Sequence, residues 1–151
     1  MTAGFSVESK FDDKVSRGLR TLANNVRTLG PALDEIGAML VTSTQIRLDQ
    51  QKSPDGTPFA PLAARTLARK QRLRKPLIIL QENRYLYESV AHQVIANHTT
   101  KVGVSRIQGR RLHLGDEGGK PMPARPYLGL SDDDVKEIEN ILTEHAQRGV
   151  E

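Results

Sequence analysis

The chain contains no cysteine and no tryptophan, and only three phenylalanines and three tyrosines among 151 residues. Without cysteine, disulfides and thiolate metal sites are excluded and nothing requires an oxidising compartment, so cytosolic synthesis is expected. No run reaches the roughly 20 apolar residues of a membrane-spanning helix, and the N-terminus shows no basic stretch followed by an apolar one. Neither a membrane partner nor a signal peptide is expected. Hydrophobic residues make up 37% of the chain. So lean a core leaves part of the stability to neighbouring subunits and points to a homo-oligomer. The length suits a single domain over residues 1–151.

Catalytic patterns are equally scarce. His92, His98, His113 and His145 fall in different predicted elements, none with a carboxylate or second histidine at metal-ligand spacing. His92 and His98 would at most face each other across a hairpin. There is no Gly-x-Ser-x-Gly and no His-Glu-x-x-His. The run Gly115-Asp-Glu-Gly-Gly119 lacks the lysine and the strand-to-helix setting of a phosphate loop. Asp132, Asp133 and Asp134 suggest a metal cluster at first sight, but consecutive helical residues point in different directions, and a helix N-terminus accounts for all three. No enzyme, cofactor or metal site is expected.

What the chain does have is charge sorted by position. Residues 1–50 carry six basic and six acidic residues, 51–130 fourteen against five, and 131–151 two against seven. Much of the positive charge gathers at Arg65, Arg69, Lys70, Arg72, Arg74 and Lys75. A basic middle and an acidic end suit either nucleic acid or the acidic helix of a neighbouring copy, and charge alone leaves both open.

Periodicity sets the elements. Gly4–Phe11 alternates as a short strand does. Phe11, Val15, Leu19, Leu22, Val26 and Leu29 then recur at three- and four-residue steps, predicting a helix to about Thr28 whose stripe is an ordinary core face. Gly30-Pro31 punctuates, and Leu33, Ile36, Met39, Leu40 and Leu48 predict a second helix over roughly 32–50. Ala63–Lys75 reads as a short basic helix ended by Pro76, residues 77–90 as a short helix or turn, and 89–97 with 100–106 as a hairpin around Asn97–Thr100. Residues 110–114 read as a further strand.

Two proline-rich stretches stand out. Ser53-Pro-Asp-Gly-Thr-Pro-Phe-Ala-Pro-Leu62 predicts a turn and then an extended arm on which Phe59 and Leu62 need a surface to dock into, on their own subunit or on the next. In Pro121-Met-Pro-Ala-Arg-Pro-Tyr-Leu-Gly-Leu-Ser131, three prolines forbid helix until Ser131, followed by Asp132-Asp-Asp134, supplies a capping box and acids for the positive end of a helix over 132–148. Val135, Ile138, Ile141 and Leu142 form that helix's apolar face. The fold class is therefore α+β: two N-terminal helices and a C-terminal helix packed on a small, mainly antiparallel sheet, with projecting arms at about 52–62 and 115–127.

The pairing of Pro54-Asp-Gly-Thr-Pro-Phe-Ala-Pro-Leu62 with Pro123-Ala-Arg-Pro-Tyr-Leu-Gly-Leu-Ser131, in this order after two helices, resembles the virion morphogenesis (tail completion) proteins of Mu-like and related tailed phages. The resemblance covers about residues 10–145. It implies a non-enzymatic structural protein of the virion tail, assembled in the bacterial host cytoplasm, that completes or terminates the tail and aids head–tail joining as a ring. Tail tube and head-connector proteins are the implied partners. In such a ring Arg65, Arg69, Lys70 and Arg72 of one subunit would approach Asp132, Asp133 and Glu137 of the next, with Phe59, Arg125 or Tyr127 anchoring an arm. The other reading is a small nucleic-acid-binding protein using the basic helix of 65–75.

Overall fold

The longest element begins at the Gly30–Pro31 pair. The computed structural model describes residues 13–118 and 121–150, and among these the elements run α1 (Asp13–Arg27), α2 (Gly30–Gln50), α3 (Ala64–Arg72), α4 (Tyr85–Glu88), β1 (Val90–Ile95), β2 (Thr99–Val104), α5 (Gly109–Leu114) and α6 (Asp132–Gln147). Pro31 sits in the first turn of α2, where a missing N–H breaks no helical hydrogen bond, so the pair opens the helix that it was expected only to precede. The class is α+β, as expected. The strand anticipated over residues 4–11 lies outside the described residues.

β1 and β2 pair antiparallel, Val90 opposite Val104 through Ile95 opposite Thr99. Their β-branched side chains favour the pleated surface. Helix α2 lies across this hairpin, and the close approach is made at Gly37. A Cβ there would stand 2.3 Å from Cδ2 of His92 and 2.8 Å from Oγ1 of Thr100. At the hairpin turn, the Asn97 side chain accepts from the Gly30 N–H at 2.7 Å and donates to the Arg27 carbonyl, pinning the α1–α2 link to the sheet.

Two small cores result. Ala32 and Ile36 of α2 meet Ile141 of α6, with Met39, Leu40 and Ile138 around them. Leu48, Phe59, Leu86, Val90 and Tyr127 form the second, drawing one residue from each of five different segments.

Four expectations are corrected. Residues 110–114 form α5, not a strand: a five-residue alternation does not distinguish strand from one helical turn, and α5 turns its Leu112 towards the second core. Helix α3 stops at Arg72 rather than Lys75, because Pro76 disfavours helical backbone before it and Arg74 already has φ of 51°. Helix α1 packs along α6 instead of on the sheet, and its stripe is not a core face, since Val15, Leu19 and Val26 are 48%, 55% and 54% exposed. Finally, the proline-rich segments do not project at their anchors, because Phe59 and Tyr127 are buried within the same chain. Residues 77–90, left open between helix and turn, contain both: a turn near Ile79–Leu80 and the single helical turn α4.

Replacing Gly37 with alanine puts a methyl group into the His92 ring and forces α2 off the hairpin. A loss of about 1–3 kcal/mol is expected in urea unfolding.

Candidate functional site

The two proline-rich segments meet. In the first, the Ser53 N–H reaches the Thr57 carbonyl at 2.8 Å and the Gly56 N–H the Ser53 carbonyl at 2.9 Å, closing a tight turn. The Asp55 carboxylate, held below its usual range by hydrogen bonds from Thr57, accepts the Thr57 N–H at 3.0 Å. Beyond the turn, the Phe59 N–H bonds to the Gln51 carbonyl at 2.8 Å, which seats the Phe59 ring in the core. The second segment starts from a bridge between Asp116 and Met122 and continues with the Arg125 N–H bonded to the Leu112 carbonyl at 3.1 Å. Tyr127, wholly buried, donates its hydroxyl to the Gly109 carbonyl at 2.9 Å and meets His113 edge-on with ring centroids 5.2 Å apart. Burial pushes the Tyr127 phenol up to about 12 and lowers His113, whose Nδ1 accepts the Tyr127 and Leu128 N–H groups at 3.3 and 3.4 Å.

Arg125 ties one segment to the other. Its guanidinium donates to the Ala60 and Pro61 carbonyls at 2.7 and 2.8 Å. Prolines cannot donate to a ladder, so an extended proline-rich arm leaves carbonyls that need an outside donor. Desolvation lowers the Arg125 pKa, and the buried cation is met by these backbone dipoles. Gly129 completes the junction. It has φ of 142°, and a Cβ there would lie 2.9 Å from Cγ of Pro54.

Beneath the junction lies Arg47 of α2. Its guanidinium donates to Asp134 Oδ2 at 2.7 Å, Ser43 Oγ at 2.8 Å, Thr44 Oγ1 at 3.1 Å and the Gly129 and Tyr127 carbonyls at 2.9 and 3.4 Å. Asp134 also closes the capping box, accepting the Ser131 N–H at 2.9 Å while the Ser131 hydroxyl accepts the Asp134 N–H at 3.1 Å. Burial alone would raise the Asp134 pKa. Hydrogen bonds from Ser131, Ser43 and Arg47 outweigh it and hold the carboxylate below its ordinary value.

Of the residues singled out by sequence, Phe59, Arg125 and Tyr127 are therefore inside the subunit. Lys70 is buried as well: its ammonium donates to the Ile78 and Gln81 carbonyls at 2.8 and 3.1 Å. Arg69 forms a two-pronged pair with Glu82 at 3.0 and 2.7 Å, and Lys75 reaches the same carboxylate at 2.7 Å. Those hydrogen bonds, Arg69 first, bring Glu82 down to about 2. Arg65 and Arg72 remain exposed on α3, as do Asp132, Asp133 and Glu137 on α6. The structure does not bring these two groups together within one subunit.

Arg47 and Ser43 had no place in the sequence reading, and the contacts of His113 with Tyr127 and of Gly129 with Pro54 were not anticipated. The available signal was Arg47 itself, seven residues after Leu40 on the apolar side of a helix. A cleft of about 580 Å³ opens between the two segments, lined by Pro54, Pro58, Pro126, Leu128 and Leu130 among others. Among the described residues, no three His, Cys, Asp or Glu side chains gather as a metal site, and no helix is long and apolar enough to cross a membrane. His92 lies opposite Val102, with Nε2 2.8 Å from Asp34, and His98 falls in the hairpin turn, so the two do not face each other.

Residues 11–147 match the phage virion morphogenesis family. The chain belongs to that family. It is 29% identical over 147 residues to tail completion protein S of Escherichia phage P2, covering 92% of this chain and 97% of that protein. No solved structure matches. For this virion morphogenesis protein, the motifs behind the sequence resemblance are the two segments that Arg125 and Gly129 hold together.

Two outcomes test this geometry. Asp134→Asn leaves Arg47 buried without its counter-charge, and a loss of about 3 kcal/mol is expected at neutral pH. Because the folded-state pKa is depressed, the carboxylate's contribution is present above its unfolded value and lost as pH falls through the folded one. The gap between parent and variant in urea unfolding therefore narrows below the ordinary aspartate value of 3.8. Gly129→Ala adds a strained backbone and a contact with Pro54, and is expected to lower stability by about 1–3 kcal/mol.

Proposed function

We propose that this protein completes or terminates the tail of a phage or prophage particle and aids head–tail joining by assembling into a ring. The observation that carries the reading is its similarity, over nearly the whole length of both chains, to a tail completion protein. The arrangement of the junction supports a structural role: the polar groups of Arg47, Arg125, Tyr127 and Asp134 are engaged in holding backbone segments together. The protein acts as one domain without enzymatic activity or cofactor. It is made in the host cytoplasm, resides in the virion tail, and meets the tail tube and head-connector proteins there.

For the ring, exposed Arg65 and Arg72 of one subunit face Asp133 or Glu137 of the next, on a different side of α6 from Asp132. Arg69 contributes less, being committed to Glu82, and Lys70, buried, makes no direct contact with a neighbour. The same internal engagement weakens the nucleic-acid alternative, since Arg69 and Lys75 are turned to Glu82 and Lys70 to backbone carbonyls of its own chain, away from an outside phosphate.

Deleting the gene from its phage is expected to leave filled heads and tails unjoined, or tails of irregular length, by electron microscopy of lysates, with restoration by the gene supplied in trans. Normal virions from the deletion would overturn the reading.

A further inference from the structure

Helix α1 is held to its own subunit by small and polar residues. Asn25 donates to the Ala146 and Arg148 carbonyls at 3.2 and 2.7 Å, and His145 Nε2 lies 3.0 and 2.9 Å from the Asn25 and Thr28 carbonyls. Gly18 and Thr21 lie against Val150 and Gly149. Much of the apolar stripe is left open. Val15, Leu19 and Val26 are about half exposed, and with the half-buried Leu22 they recur at steps of four, three and four, the spacing of a helix-pairing seam.

Charge selects what covers the stripe. Exposed Arg20 and Arg27 lie on one side of it, and α1 holds a single acid, Asp13. Two copies of α1 laid together would bring like charges together, which opposes a symmetric pair. The outer face of α6 has the opposite sign. Val135 and Leu142, 41% and 36% exposed, flank exposed Glu139 at the same four- and three-residue steps. Exposed Asp132 lies on the same side, one turn before Val135, and the single lysine of α6, Lys136, pairs with Asp133.

We propose that α1 of one subunit docks along the outer face of α6 of a second copy, setting Val15, Leu19 and Val26 against Val135 and Leu142, with Arg20 and Arg27 reaching Glu139 and Asp132. The contact uses different surfaces of the two copies and so propagates around a ring. It rests on the ring-assembly reading above and supplies that ring with an apolar seam.

The absence of native cysteine makes the test direct. Leu19→Cys and Leu142→Cys variants, mixed and oxidised, are expected to give the mixed disulfide dimer in excess over either homodimer. A predominant Leu19→Cys homodimer would assign the stripe to a symmetric contact and overturn the proposal. So would association that appears only after residues 1–11 are removed, since the chain itself would then cover the stripe. In sedimentation at low salt, Arg20→Glu with Arg27→Glu is expected to weaken association by about tenfold or more, with recovery when mixed with Asp132→Arg, Glu139→Arg subunits. A ring that survives Leu19→Glu overturns this seam while ring assembly stands. A chain that stays monomeric throughout overturns both. The gene-deletion result is independent of either outcome.

Discussion

The Arg47 guanidinium sits where two parts of the chain that are far apart in sequence, α2 and residues 127–134, must agree. Arginine has five N–H donors in a fixed fork, and here all five find acceptors: a carboxylate and a hydroxyl on one terminal nitrogen, a hydroxyl and the Gly129 carbonyl on the other, the Tyr127 carbonyl at Nε. A buried ion pair often adds little net stability against an apolar substitute, but it penalises every arrangement that separates the charges. The constraint is therefore one of specificity. With α2 in place, the path taken by residues 127–134 supplies three of the five acceptors. That path positions the capping box, starts α6, and brings Ile141 over Ile36 and Ala32.

The second core depends on the same path. Tyr127 reaches the Gly109 carbonyl because Arg47 holds the Tyr127 backbone from the other side, and Gly109 admits it because any side chain would strike Val104, whose Cγ2 would lie 2.2 Å from a Cβ. Arg125, two residues before Tyr127, is thereby aimed at the Ala60 and Pro61 carbonyls and draws the Phe59 arm into the core. A protein short of aromatic residues thus makes two of them, fixed by two arginines, join five segments.

The helices and hairpin were legible because each carries a periodic or capping signal of its own. Ser131-Asp-Asp-Asp134 announced a helix start, and the β-branched run on each side of Asn97 announced a hairpin. Residues 110–114 misled because a single turn is too short to show a period. The burial of Lys70 was hidden for a different reason: the acceptors of its ammonium, the Ile78 and Gln81 carbonyls, exist only after the chain turns back at Pro76 and Leu80. In sequence it is one cation in a basic run. The proline-rich segments pointed to the family through their motif, yet their mutual contact, Arg125 to Ala60 and Gly129 to Pro54, is tertiary and leaves no spacing to read.

The exposed stripe of α1 gives the lean composition a physical meaning. A chain with few large apolar residues that leaves Val15, Leu19 and Val26 half in water has not used its hydrophobic surface within one subunit. Helix α6 holds its own α1 through His145 and Asn25 near its C-terminal end, and on the proposed arrangement presents Val135, Glu139 and Leu142 to the α1 of another copy. One rigid helix then fixes both the angle at which α1 leaves a subunit and the angle at which the next α1 arrives. A heterologous contact closes into a ring only when the rotation per subunit divides a full turn, and otherwise grows as a filament. On the proposed arrangement the His145–Asn25 contact, which makes no part of the seam itself, would therefore help set whether and at what size a ring closes.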